Sequence, residues 1–195
     1  MKKISFIVGL FLTFLFLANE SNAQVSFRIQ KLPTGSYKAS MKSVTAYSGT
    51  LSQISNSFQF TVLTFTGSGA IQNLTSLIAV GSGVTKAPSF SFKRSNAPMS
   101  NPLKDYIFFN LINLSQFDIA ANTEIDLFSF DVAGACLGDL ELFINGTTPA
   151  AQGLNSGNNI SIVGAGPANQ YINNYGGSAT CSTGCNIKAG ILSRL

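Results

Sequence analysis

Val25-Ser26-Phe27-Arg28-Ile29-Gln30 alternates apolar with polar residues at every step. That is the period of a strand with one buried and one wet face. Pro33-Thr34-Gly35 follows at once as a turn signal. Residues 38–47 read as a second extended segment with less clean alternation, closed by Ser48-Gly49. Phe58, Phe60 and Val62 alternate with Gln59 and Thr61, and the apolar phase then shifts to Leu63 and Phe65. A β-bulge, or a strand bending from one sheet into another, is the expected cause. Residues 70–80 are ambiguous between strand and helix and end at Gly81-Ser82-Gly83. Phe90 and Phe92 mark another strand, and residues 98–102 are loop. Asp105-Tyr106-Ile107-Phe108-Phe109-Asn110-Leu111 is apolar on both faces and predicts a central strand covered on both sides. Ile125, Leu127, Phe128 and Phe130 repeat the phase shift; Leu140, Leu142 and Ile144, then Ile160 and Ile162, give the last strands. About nine strands with Gly, Asn or Pro between them predict an all-β fold, a two-sheet antiparallel β-sandwich with jelly-roll topology.

The ends of the chain predict its destination. Lys2 and Lys3 precede an apolar run over residues 4–17, and Ser21-Asn22-Ala23 supplies small residues for cleavage. Residues 1–23 therefore read as a secretory signal peptide, with the mature chain starting at Gln24. The run is shorter than the roughly 20 residues that span a bilayer, so no transmembrane segment is expected in the mature chain. The first Cys is Cys136, which disfavours a lipoprotein. The expected location is extracellular or at the cell surface.

Residues 24–195 number 172, enough for one domain. Removing Lys2, Lys3 and Glu20 from the 12 basic and 8 acidic residues leaves ten and seven, a formal charge of +3 with the basic residues scattered. Nucleic-acid binding would want them clustered on one face, so that partner is not expected. Charged residues make up 10% of the chain, against about 25% in typical domains, and the shortage of Lys and Glu disfavours a helical bundle. An eight-stranded outer-membrane barrel is an alternative for an exported β-rich chain. Against it stand apolar runs mostly shorter than about 9 to 11 residues, the absence of Trp for aromatic girdles, and the lack of a polar lumen face on the strand at 106–111.

Two late segments carry a family resemblance. Leu127-Phe128-Ser129-Phe130 leads to Cys136-Leu137-Gly138 and a strand; later, residues 158–163 run through Gly164-Ala165-Gly166 to Tyr171-Ile172-Asn173-Asn174-Tyr175-Gly176-Gly177 and Cys181. Together with Asp105-Tyr106-Ile107 and the early segment at 43–49, this resembles the cohesin-like, carbohydrate-binding-module-like β-sandwich of exported Bacteroidetes-type surface proteins. The resemblance spans residues 24–181 and implies an adhesion or scaffold module. The tail at 182–195 is not part of the pattern, which leaves open a truncated relative of a multidomain protein. The resemblance also favours a Cys136–Cys181 disulfide, worth up to roughly 4 kcal/mol in the chain-entropy model. Cys181 with Cys185 is the competing local bridge, and one of the three Cys is left over either way.

Candidate chemistry is narrow. No His is present, which removes the usual Ser or Cys triads and most zinc sites, and leaves no base for a catalytic thiol. The carboxylates available are Asp105, Asp118, Glu124, Asp126, Asp131, Asp139 and Glu141, and nothing marks two of them as a glycosidase pair. Asp131 and Asp139, at the ends of neighbouring strands, are the candidate Ca²⁺ ligands, with solvated strand-end carboxylates the plainer reading. No other cofactor is expected. Sugar stacking would fall to Tyr37, Tyr47, Tyr106, Tyr171 and Tyr175. Tyr171 and Tyr175 lie in an Asn- and Gly-rich stretch that reads as an exposed loop, and are the candidate ligand-binding pair. The expectation is a non-enzymatic interaction module with a protein partner at the cell surface. A polysaccharide-binding module is the main alternative, ahead of a hydrolase and of the barrel.

Overall fold

The computed structural model describes residues 24–180 apart from 56, 81–82 and 135–136. The expected signal peptide at 1–23 and the tail at 182–195 lie outside these. Twelve strands run in order: β1 (Val25–Lys31), β2 (Tyr37–Ser43), β3 (Gln53–Ile54), β4 (Gln59–Phe65), β5 (Ile71–Ser76), β6 (Val84–Lys86), β7 (Phe90–Ser95), β8 (Lys104–Leu111), β9 (Ser115–Phe117), β10 (Glu124–Val132), β11 (Glu141–Leu142) and β12 (Tyr171–Asn174). No α-helix occurs among the described residues. The ambiguous segment at 70–80 thus contains the strand β5.

Nine of the strands build two large sheets, in the orders β12-β1-β2-β10-β5 and β11-β4-β8-β7; β3-β9-β6 form a small third sheet. The inward positions of the large sheets are aromatic and meet across the core. Phe27 on β1 lies 5.0 Å from Phe60 on β4, and Phe109 on β8 lies 4.8 Å from both Phe128 and Phe130 on β10. Each fully buried Phe of this kind contributes about 1.5–3 kcal/mol of transfer free energy. Both large sheets end in edge strands, so they form a sandwich and not a closed barrel, which sets the barrel alternative aside. The winding is nested: β4 pairs with β8, and outside them β2 pairs with β10, as in a jelly roll.

Three features depart from the expected pattern. A third sheet is present, because β3, β6 and β9 are too short to show alternation. One strand pair is parallel, β1 with β12, as is the isolated bridge of Ser43 with Ala121. The segment at 160–162 makes isolated bridges, such as Ile54 with Ile162, in place of a strand.

The phase shift at Leu63 has a cause other than a bulge. β4 pairs with β8 through seven consecutive residues without a register change, so Thr61 and Leu63 point away from the core. Leu63 joins a second buried cluster with Tyr106, Phe108, Phe143 and Ala151. Residues 143–158 cover this outer face, held by Tyr106 Oη donating to Pro149 O (2.5 Å), Asn158 Nδ2 to Phe143 O (2.7 Å) and Thr61 N to Asn158 Oδ1 (2.8 Å). Central strand β8 is therefore buried on both faces, as its sequence predicts. In β10 the similar shift does accompany irregular register, between Asp126 and Phe128 and between Ser129 and Asp131.

Asp105 is a structural carboxylate, 2% exposed. Arg94 Nη2 and Nε reach its Oδ2 at 2.6 and 3.2 Å, Ala97 N donates to Oδ1 at 2.8 Å, and the same guanidinium donates to Ser68 O and Gly69 O. This satisfies both charges, as a buried ion pair requires, and ties β7 and β8 to the turn before β5.

Candidate interaction face

Alternation places Arg28 of β1, Lys38, Ser40 and Lys42 of β2, and Glu124 and Asp126 of β10 on the outer side of the five-stranded sheet. Register aligns Arg28 with Ser40 and Asp126, and Ser26 with Lys42 and Glu124. The charges form one array. Arg28 Nη1 donates to Glu124 Oε2 at 3.0 Å, and Lys38 Nζ lies 3.6 Å from Glu124 Oε1 and 2.9 Å from Asp126 Oδ1. Ser40 Oγ donates to Asp126 Oδ1 at 2.9 Å. Like charges are nowhere directly opposite in these pairs, which suits cross-strand neighbours. Burial by itself raises the Glu124 pKa, but hydrogen bonds from Arg28 and Tyr175 and the charges of Arg28 and Lys38 together hold it below the ordinary value.

Tyr175 belongs to this face. Its ring lies 4.9 Å from Lys42 Nζ and 5.9 Å from the Arg28 guanidinium carbon, and its hydroxyl donates to Glu124 Oε2 at 3.0 Å. Burial, then the Glu124 carboxylate, push that hydroxyl well above the usual phenol range. Gly176 follows at φ 87°, and a Cβ there would stand 2.8 Å from Arg28 Nε, so glycine allows the chain to turn away against the array. Beside the face a groove of about 740 Å³ runs between β1 and residues 176–180, with Arg28, Gln30, Thr34 and Ser178 in its lining.

Tyr171 is not on this face, which corrects the expected exposed pair. It opens β12 and is 6% exposed, with its ring 5.2 Å from Phe27 and its hydroxyl donating to Asn174 Oδ1 at 2.7 Å. The Asn-rich stretch that reads as a loop is a strand because main-chain pairing with β1 needs no apolar alternation. Tyr37, Tyr47 and Tyr106 are buried as well.

The two candidate Ca²⁺ ligands are held by separate donors. Asp131 Oδ2 accepts from Asn73 Nδ2 at 2.6 Å, and hydrogen bonds from Asn73 and Ser36 lower its pKa despite an opposing burial effect. Asp139 Oδ2 accepts from Ser178 Oγ at 3.1 Å. Among the described residues no group of three or more His, Cys, Asp or Glu side chains gathers as a metal site. Cys136, Cys181 and Cys185 lie outside the described residues, and with them the expected disulfide. No helix among the described residues is long and apolar enough to cross a membrane.

Sequence reasoning missed the array itself. Its signal was the polar positions Arg28 in the clean alternation of β1 and Glu124 and Asp126 at the start of β10, but only the sheet order makes β1, β2 and β10 neighbours. The class defined by fold and face is an all-β sandwich with one covered and one ionic outer surface. No family model matches this chain, no curated protein matches it, and no solved structure matches it.

Proposed function

We propose that this protein is an exported, non-enzymatic β-sandwich interaction module of the cohesin-like kind, engaging a protein partner at the cell surface through the outer face of the five-stranded sheet. One observation carries the reading: the outer face of the four-stranded sheet is roofed over β4 and β8 by residues 143–158, whereas the opposite face of the sandwich presents an ordered array of three cations and two carboxylates with Tyr175 among them. An ordered, charged surface favours a partner of complementary charge pattern, which steers and registers association.

The carbohydrate-binding alternative draws less support. A stacking platform wants free aromatic faces, but Tyr171 is in the core and the Tyr175 ring already faces two cations. Ion pairs or hydrogen bonds also engage Asp105, Glu124, Asp126, Asp131, Asp139 and Glu141, which does not favour a hydrolytic acid–base pair.

The test is capture from a surface extract of the cells that make the protein, comparing the wild type with the charge-swapped pair Lys38→Glu with Glu124→Lys. Retention of a defined protein by the wild type and its loss in the swap supports the reading. Retention of a polysaccharide that is lost in Tyr175→Ala would replace it with the sugar-binding one.

A further inference from the structure

The four edges of the two large sheets are not equally protected. β11 has only two residues. β12 has four and a register irregularity where it meets β1. β5 is interrupted by Asn73 at φ 52° and an irregular register against β10. Short, kinked edges of this kind are how β proteins avoid joining other strands. β7 is different: six residues pair with β8 in unbroken register, without Pro, Gly or bulge.

The parity of its hydrogen bonds can be worked out. Ile112 N donates to Ser89 O, and Thr66 N on the other side of the sheet donates to Leu103 O. The even residues of β8 therefore face β7, and Ser91, Lys93 and Ser95 carry the bonds between them. The N–H and C=O groups of Phe90, Phe92 and Arg94 point outward from the sheet edge. Beside them the Phe92 side chain is 41% exposed, although it faces the core side and lies 6.1 Å from Phe109.

We infer that β7 pairs antiparallel with β7 of a second copy of this chain about a two-fold axis at Phe92. The register is self-complementary. A two-fold there sets Phe92 against Phe92, and Phe90 against Arg94 in both directions, so outward-turned groups meet outward-turned groups at all three positions. The solvent-side residues also agree, because Lys93 falls opposite Ser91 of the second copy and no like charges face each other. The two Phe92 rings become direct cross-strand neighbours, and the two four-stranded sheets join into one of eight strands. A two-fold, isologous contact closes on itself and yields a dimer, not a fibre. The ionic face of the other sheet stays outside the contact, so the dimer carries two such faces.

Sedimentation and hydrogen exchange on the purified protein test this. The wild type should reach twice the chain mass as concentration rises, with the Phe92 amide slowing in exchange over the same range. Phe92→Pro removes an outward N–H that has no hydrogen-bond partner among the described residues, a position where an edge strand tolerates proline. It should shift the dimer to monomer. Phe92→Lys keeps that N–H, places two charges at the axis, and should weaken association at least tenfold, with unchanged circular dichroism confirming the fold. A wild type that stays monomeric at high concentration overturns the proposal, as does a dimer that survives both substitutions or leaves the Phe92 amide fast.

Discussion

The outer face of the four-stranded sheet carries Leu63, Tyr106 and Phe108 beneath Phe143 and Ala151. The outer face of the five-stranded sheet carries Arg28, Lys38, Glu124 and Asp126, with side chains 17–43% exposed. Both are outward positions of the two large sheets, yet one has become a second core and the other an ionic surface. The difference teaches where stability is stored. Apolar burial on the first face is a large contribution to folding, whereas partly exposed ion pairs contribute little.

Truncation on the covered side should break the comparison most clearly. Phe143→Ala removes the ring that packs at 6.2 Å from Tyr106 and should cost about 3–5 kcal/mol in urea unfolding. Asp105→Ala strands the half-buried Arg94 guanidinium and leaves Ala97 N without its acceptor, and should cost about 1–3 kcal/mol by the same measurement. Glu124→Gln on the open face should cost no more than about 1 kcal/mol. If its effect matched that of Phe143→Ala, the ionic face would have to be counted as structural.

Acid sharpens the contrast further. The Glu124 pKa is lowered in the folded state from an ordinary value of 4.5, so its stabilising effect is present above that value. That effect disappears as pH falls through the lower folded value. Asp131 behaves in the same direction. Unfolding midpoints of the wild type should therefore drop on the acid side of pH 4.5, and Glu124→Gln should show a shallower drop.

The strands with clean alternation, β1 and the Phe58 to Val62 part of β4, were legible because each buries one face. So was the double burial of β8, from its unbroken apolar run. The phase shifts at Leu63 and in β10 were visible but not separable by sequence, since a covered outer face and a bulge both put an apolar residue out of step. β12 and the small sheet were not legible at all: their residues are placed by main-chain pairing with distant partners, and Asn173 and Asn174 carry no periodic signal. Tyr175 was named as a ligand residue for its exposure. Its cation neighbours, Lys42 and Arg28, come from other strands, and that arrangement exists only once the sheet is assembled.

The parallel pairing of β1 with β12 has a kinetic consequence. Val25 meets Tyr171 in that ladder, so the first strand of the sandwich acquires its second neighbour only after nearly all of the remaining chain has been laid down. The nested pairs β2 with β10 and β4 with β8 are also distant in sequence. Contacts this remote must overcome loop-closure entropy before they yield free energy, which predicts refolding in about the millisecond-to-second class by stopped flow. Until β12 docks, β1 is paired by the β2 hairpin alone.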